Sequence, residues 1–388
     1  MTTHLQGDEQ LLVRLPKWLG DCIMAEPALV AIAAYWRSKS SIERLTVVGP
    51  AHLLGLWDER FVPGGEGRAH LGGANLVDAA DQAAVRSAMA RADVALLLTG
   101  SFRSAFEAWR ARIPRRIGWA RDLRGALLTD TMTPMLERGG APLVNVLAQT
   151  TATWMPPGKE RLPKLGIVGR FPRYAPRPYG STCIELVASL GIPVRRTKPQ
   201  LQANREVTQA VRDRLSAAGI DPAAPFAVLN AGSRPGSAKG WQGWSELAPL
   251  LRTQMPVVLI CGPGEEASLR DFPSSPAVQG EHHAQLVLDK PPLDLAELTA
   301  LAAGCDAFVT ADAGARHIAT AAGAQTHVLF GSTDPRHTAD HLQQTYSFAE
   351  PQPCGPCHRE VCGAPDLLAC FRGIAADRIA AGVRATRS

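Results

Sequence analysis

Three observations predict an α/β fold made of two doubly wound parallel sheets. Short apolar or β-branched runs alternate with longer helix-like stretches along the chain, the pattern of parallel strands covered by helices. The length of 388 residues allows two domains or a little more, at roughly 150 residues per domain. Hydrophobic residues make up 46% and charged residues 20%, enough apolar material for full cores and too much for a disordered chain.

In the first half the runs predict strands at Leu11–Leu15, Leu45–Val48 and Val94–Leu98, with helices at Asp21–Arg37, Asp81–Arg91 and Arg103–Arg112. Six prolines between Pro156 and Pro178 mark a loop or extended excursion near the end of the first domain. After Arg205 strands are predicted at Phe226–Leu229, Val257–Ile260, Gln285–Leu288, Ala307–Thr310 and Thr326–Phe330. Helices fit between them at Trp244–Thr253, Glu265–Phe272, Asp294–Ala303 and Ala315–Ala322. A tail from about Ser347 carries four cysteines and ends in an amphipathic stretch, Ala375–Arg384. The expected division is 1–200, 201–345 and a tail, 346–388.

Totals exclude several classes. A net charge of +5 is too mild for a nucleic-acid binder, and eight cysteines are too sparse for a disulfide scaffold. The polar N-terminus, MTTHLQGDEQ, lacks the basic and apolar regions of a secretory signal. No apolar run approaches the ~18–20 residues that span a bilayer. Ala25–Trp36 is broken early by Glu26 and Pro27 and reads as a buried helix. The expected compartment is the cytosol.

Ligand loops of such sheets follow the carboxyl ends of strands. The first, Pro16 to Asp21, holds one glycine and cannot be a dinucleotide fingerprint. Asp21 there is either a carboxylate serving the free amides of a helix start or a general base at a strand end. The stretch Asn230–Trp241, with Ser233 and Lys239, is either a flexible surface loop or a wrap for an anion. It is not a Walker A loop, since Gly240 follows Lys239. In Asp312–His317, Gly314 lets a ligand approach and the helix start offers amides to a phosphate, while His317 has the position of a packed residue. Gly331–Pro335 is a further amide-donating loop on the same edge. Three such loops favour a diphosphate-bearing ligand.

Between Arg103 and Arg124 stand seven arginines and two acids, either a solvated face or a site for phosphate or carboxylate. Cys354, Cys357, Cys362 and Cys370 fall within 17 residues. The first pair has knuckle spacing for a structural zinc, and metal-free thiols explain the run equally well. Cys22, Cys183, Cys261 and Cys305 read as core residues.

Together these segments resemble glycosyltransferase family 9, the ADP-heptose:lipopolysaccharide heptosyltransferases, and within it the heptosyltransferase II branch. The resemblance is carried by Leu12–Asp21 with its W-x-G-D turn, Glu26–Leu29, Ser101–Ser104 and Ile113–Trp119. It continues in Ala238–Trp241, Asp312–His317, Phe330–Pro335 and the cysteine tail. It implies a GT-B fold, two Rossmann-like domains facing a cleft, with the C-terminal helix crossing back to the first. The first domain would bind the acceptor and the second the nucleotide sugar. Inverting transfer would need no obligatory metal.

By position, Asp21 would be the base. Ser233, Lys239, Glu266, Asp312, Gly314, His317 and Gly331 would bind the donor, ADP-heptose or a related nucleotide sugar. Lys17, Arg103, Arg115, Arg116 and Arg121 would face an anionic lipid A–core acceptor at a peripheral membrane contact. Three positions depart from the family pattern. Ala313 stands for a serine or threonine, Gly240 for a basic residue and Lys17 for an asparagine. A second class, a non-catalytic binder of nucleotide sugars or glycans on the same scaffold, draws on Ala313. A third treats the tail as a redox or iron–sulfur module.

Overall fold

The computed structural model describes residues 4–39, 41–61, 71–121, 123–134, 175–233, 237–278, 283–342 and 345–386. The proline-rich excursion lies outside the described residues as far as residue 174. The first sheet comprises β1 (Leu11–Arg14), β2 (Leu45–Gly49), β3 (Asn75–Asp78), β4 (Val94–Leu97), β5 (Arg115–Trp119) and β6 (Asp130–Met132). The second comprises β7 (Ala227–Asn230), β8 (Val257–Ile260), β9 (Gln285–Leu288), β10 (Ala307–Ala311), β11 (Thr326–Phe330) and β12 (Thr345–Ala349).

Their orders are β3-β2-β1-β4-β5-β6 and β12-β11-β10-β7-β8-β9, with every ladder parallel. Taken from β9 inward, the second sheet repeats the order of the first. Each therefore has a switch point, between β1 and β4 and between β7 and β10, where its crossovers leave in opposite directions and a crevice opens. Central strands such as β4, β7, β8, β10 and β11 are buried on both faces, which is why they read as unbroken apolar runs. The strands without a sequence signal are chiefly the edges. β3, β6 and β12 are half-exposed and need little apolar content. The second sheet runs through β12 to Ala349, past residue 345.

The helices are α1 (Leu19–Met24), α2 (Glu26–Lys39), α3 (Ala51–Leu54), α4 (Gln82–Arg91), α5 (Phe102–Arg110) and α6 (Tyr179–Ala188). After them come α7 (Arg205–Ala217), α8 (Trp244–Arg252), α9 (Leu295–Gly304), α10 (Gly314–Ala321), α11 (Ala369–Arg372) and α12 (Ala376–Ala385). The single helix expected over Asp21–Arg37 is two. Pro27 has no N–H to continue the ladder, so Ala25 closes α1 and Pro27 sits in the first turn of α2, where an N–H has no intrahelical partner anyway. The helix expected at Glu265–Phe272 is only a short 3₁₀ turn, Glu266–Leu269.

The C-terminal helix does not cross back onto the first domain. Ala376, Ile379, Ala380 and Val383 form one stripe of α12, and the stripe packs on α8 and β11 inside the second core. That groove is only a short link away, so burying the stripe there needs no long return of the chain. Other elements join the halves. α1 packs against α10, α6 against the 3₁₀ segment Pro335–His341, and one core cluster runs from Ile23 and Ile32 to Ile318 and Ala319. Ser181 donates to Asp340 from its amide at 2.7 Å and its hydroxyl at 2.9 Å, and Arg60 pairs with Asp294 at 2.7 Å. Among the described residues no helix is long and apolar enough to cross a membrane.

Candidate active site

The two switch points face each other, and the N-termini of α1 and α10 meet between them. Two glycines permit the contact. A Cβ on Gly20 would lie 2.6 Å from the His317 ring, and one on Gly314 would lie 2.8 Å from Leu19. This brings together Asp21, Lys239, Asp312, Gly314 and His317 from three separate stretches of chain.

Asp21 lies in the first turn of α1, but Trp18 is the N-cap and no side chain caps this helix. Among the described residues the Asp21 carboxylate accepts no hydrogen bond. Burial pushes it up to about 6, and the Lys239 ammonium draws it partly back. A carboxylate without a capping duty, poised near neutrality, has the properties of a general base.

Lys239 comes from the loop after β7. Its Nζ donates to the Asp312 carbonyl at 2.5 Å. Burial lowers its pKa while Asp312 and Asp21 support its charge. Residues 234–236 of this loop lie outside the described residues. On either side, the tail holds it. Ala238 N–H donates to the Glu360 carbonyl at 2.8 Å, and Ser237 bridges Val361. The Trp241 indole donates to the Ile374 carbonyl at 3.1 Å. Gly240 also has a local reason, since a Cβ there would come within 3.3 Å of Ser233 Oγ and of the Ser237 carbonyl.

At α10 the N-cap is Ala313, extended and without a capping side chain. A serine or threonine there would occupy one of the first helix amides. With alanine those amides are left for an anion. Asp312 is 8% exposed and its Oδ1 lies 3.0 Å from Nε of the fully buried Arg316. Arg316 Nη2 lies 3.3 Å from His317 Nε2, and His317 Nδ1 lies 3.0 Å from His341 Nδ1. A guanidinium can only donate, so His317 accepts at Nε2 and gives its Nδ1 proton to His341. Burial and Arg316 hold His317 far below its ordinary pKa and push His341 down to about 3. Both rings are neutral. His317 is thus a packed residue that orders the start of α1 through Gly20, and its partners Arg316 and His341 carried no sequence signal.

Other candidates are placed less centrally. Glu266 lies at the rim of a cavity of about 450 Å³ with Arg270, Phe272, Asp289 and Lys290, and its Oε1 accepts from Gly264 N–H at 2.9 Å. Its neighbour Glu265, which the motifs did not single out, faces the lysine loop, within 2.6 Å of a Cβ on Gly232. Gly331 has a packing role, because a Cβ there would meet the Phe371 ring at 2.4 Å. Lys17 stacks over Trp18 at 4.7 Å.

The arginine cluster splits. Arg103 and Arg121 are exposed beyond the carboxyl ends of β4 and β5, and Arg121 is close enough to help lower the pKa of His337 in the second domain. Arg115 and Arg116, expected on the acceptor side, are placed elsewhere. They start β5, at the edge of the sheet opposite the ligand loops. Arg115 forks onto Asp130 at 3.1 and 3.2 Å, and Arg116 donates to the carbonyls of Leu127 and Ile113 at 2.7 and 2.6 Å. Arg124, fully buried, donates to the carbonyls of Trp119 and Thr99 at 2.8 and 2.5 Å and so ties the ends of β5 and β4 together.

Cys22, Cys183 and Cys261 are buried and Cys305 half-buried, all as thiols. In the tail, Cys362 Sγ accepts from Leu368 N–H at 3.4 Å, and burial with the three neighbouring cysteines raises the Cys370 thiol. Among the described residues the group that brings three metal-binding atoms within 4.8 Å is Asp334, His337 and His358, not these cysteines. Arg336 already forks onto Asp334, at 3.0 and 2.6 Å, which fills the carboxylate with a fixed positive charge.

The model of glycosyltransferase family 9 (heptosyltransferase) matches residues 181–367, a span that holds the lysine loop, α10, the Gly331–Pro335 loop and the first three tail cysteines. The lipopolysaccharide heptosyltransferase 1 of Pseudomonas aeruginosa PAO1 is 32% identical over 152 residues, which is 39% of this chain and 41% of that relative's length. Solved structures resemble nearly the whole of this chain. The glycosyl transferase family 9 structure from Veillonella parvula gives a TM-score of 0.67 at 16% identity, covering 100% of this chain and 99% of that one. The E. coli ADP-heptose LPS heptosyltransferase II gives 0.61 at 21%, covering 97% and 98%. E. coli heptosyltransferase WaaC with ADP-2-deoxy-2-fluoro heptose gives 0.57 at 16%, covering 97% and 99%. These likenesses extend the two-domain GT-B fold over the half that the family match leaves out.

Proposed function

We propose that this chain is a heptosyltransferase-type glycosyltransferase that moves a heptose or similar sugar from an ADP-linked donor to a hydroxyl of the lipopolysaccharide inner core. The observation that carries this is the meeting of an uncapped, half-buried Asp21 with Lys239 and the open N-terminus of α10 across one cleft. In the reaction the acceptor hydroxyl gives its proton to Asp21 and its oxygen bonds to the anomeric carbon. The bond from that carbon to the diphosphate breaks on the opposite face, so the configuration inverts and ADP leaves. Lys239, Ser233 and the first amides of α10 stabilise the departing charge, the contribution that usually dominates such steps. Asp312 holds the site through Arg316 and through its carbonyl on Lys239. Glu266 reaches toward the ribose from its cavity rim.

The P. aeruginosa relative and the structure with an ADP-heptose analogue support the donor class. The Pro16–Asp21 turn supports the heptosyltransferase II branch. Lys17, Arg103 and Arg121 border the cleft on the acceptor side, as an anionic lipid A–core substrate at a cytoplasmic membrane face requires. The tail cysteines are the residues that would hold a structural zinc, and metal analysis of the purified protein against a Cys354→Ser/Cys357→Ser variant tests that.

The decisive experiment measures release of ADP from ADP-heptose with and without lipid A–core acceptors of the two branches. Acceptor-dependent release that Asp21→Asn abolishes is expected. Nucleotide-sugar binding without release identifies the alternative, a non-catalytic binder on the same scaffold, which Ala313 favours by removing a hydroxyl ligand.

A further inference from the structure

One face of α5 is at odds with a surface that meets only water. Ser104, Ala105 and Ala108 are buried against the sheet, whereas Phe102, Phe106 and Trp109, spaced i, i+4 and i+7, point outward at 48%, 39% and 48% exposure. The three rings form a ladder, with centroids 6.3 Å apart for Phe102 and Phe106 and 5.7 Å for Phe106 and Trp109. The 3₁₀ turn Arg124–Leu127 packs beside α5, and Leu123 at its start is 84% exposed with φ 63°. Arg110 on α5 and Arg121 before the turn are exposed around these side chains, and Arg103, also exposed, pairs with Glu107 at 2.6 Å. A continuous apolar strip of this kind is unusual on a surface with no partner. Aromatic rings edged by arginines make the face of an interfacial helix, whose rings enter the acyl boundary while the guanidinium groups meet anionic headgroups.

We infer that the exposed face of α5, together with Leu123, docks on an anionic lipid bilayer. The arginines select the partner, since an apolar strip alone suits any hydrophobic surface, and their charge requires an anionic one. The place in the fold agrees. α5 begins just beyond the carboxyl end of β4, the neighbour of β1 whose loop carries Asp21, so a membrane held there presents headgroup sugars to the base. The purpose of the surface rests on the lipid-linked acceptor proposed above. Its existence is tested without any transfer reaction.

The test is co-sedimentation of the full chain with phosphatidylcholine vesicles, with and without phosphatidylglycerol. Binding is expected only with phosphatidylglycerol and should weaken as salt shortens the Debye length. Phe106→Ser/Trp109→Ser should weaken it roughly tenfold or more, by removing apolar area from the contact. Arg110→Gln should weaken it about fivefold. All three side chains are exposed, and an unchanged melting temperature verifies that the variants fold. ADP release with a soluble, lipid-free core oligosaccharide should be unchanged in Phe106→Ser/Trp109→Ser, while release with a vesicle-borne acceptor falls. Vesicle binding equal to wild type in both variants overturns the inference, as does wild-type protein that ignores both kinds of vesicle. A wild-type dimer that the double variant converts to monomer, with lipid binding intact, assigns the face to a second copy instead. Vesicle binding as expected with no ADP release under any condition retains the surface and overturns only the enzymatic reading.

Discussion

The two sheets share one strand order, yet their ligand edges are built in opposite ways. The edge of the second sheet is braced from inside, where Asp312, Arg316, His317 and His341 form a buried chain and the tail pins the lysine loop from behind. At the first, one half-buried acid, Asp21, accepts no hydrogen bond among the described residues, and the flanking side chains are exposed arginines and aromatic rings. Topology supplies the crevice in both halves and the loops decide its chemistry. A rigid, positively charged edge suits a diphosphate of fixed geometry. An open edge suits a large anionic acceptor of the kind proposed and leaves the Asp21 carboxylate accessible.

The sharpest way to break this comparison is at Asp21. Asp21→Asn should lower transfer by about 10²–10⁴-fold, the usual weight of a general base, with nucleoside diphosphate affinity unchanged in a titration. Near-wild-type turnover would sink the assignment. The same substitution should stabilise the fold. Because burial raises the folded pKa of Asp21 to about 6, the native state holds a proton that the unfolded chain gives up near 4. The wild type therefore loses stability as pH rises from about 4 through 6, and the asparagine variant should escape that loss. Melting curves across this range show it.

Bracing of the second edge is tested next by Asp312→Ala, which strands the Arg316 guanidinium in the core. Breaking a buried pair in this way costs about 3–5 kcal/mol, read as a loss of denaturant midpoint. A variant as stable as wild type would show that the network is not a brace. Lys239→Ala should weaken diphosphate binding at least about tenfold. It also removes the positive charge that lowers the Asp21 pKa, so the acid limb of the rate profile should move above about 6. An unmoved limb would separate the two groups. The smallest effect belongs to Arg115→Gln at the far edge of the first sheet. It should cost about 1 kcal/mol through the lost pair with Asp130 and leave the KM for acceptor unchanged. A raised KM would return Arg115 to the acceptor site.

Much of the fold was legible because buried parallel strands must be apolar along their whole length, as Ala227–Asn230 and Val257–Ile260 are. Edge strands such as Asn75–Asp78 escape that requirement and left no signal. Asp21, Lys239 and Asp312 stand out as candidates because each follows a strand in a loop of recognisable composition. An arginine string does not show which end of a strand it occupies, and Arg115 and Arg116 start β5, away from the ligand loops. Likewise the amphipathic period of α12 revealed a buried stripe but not which domain would cover it.

Sequence by itself determined the alternation of strands and helices, the strand-end loops and their residue types, since these depend on local periodicity and on what a turn or helix start tolerates. Tertiary structure alone decided that Asp21 caps nothing, that His317 is held neutral between Arg316 and His341, and that the tail braces the lysine loop. Those properties depend on burial and on neighbours from distant stretches of chain. Desolvation and charge pairing are set by three-dimensional surroundings, which no local pattern records.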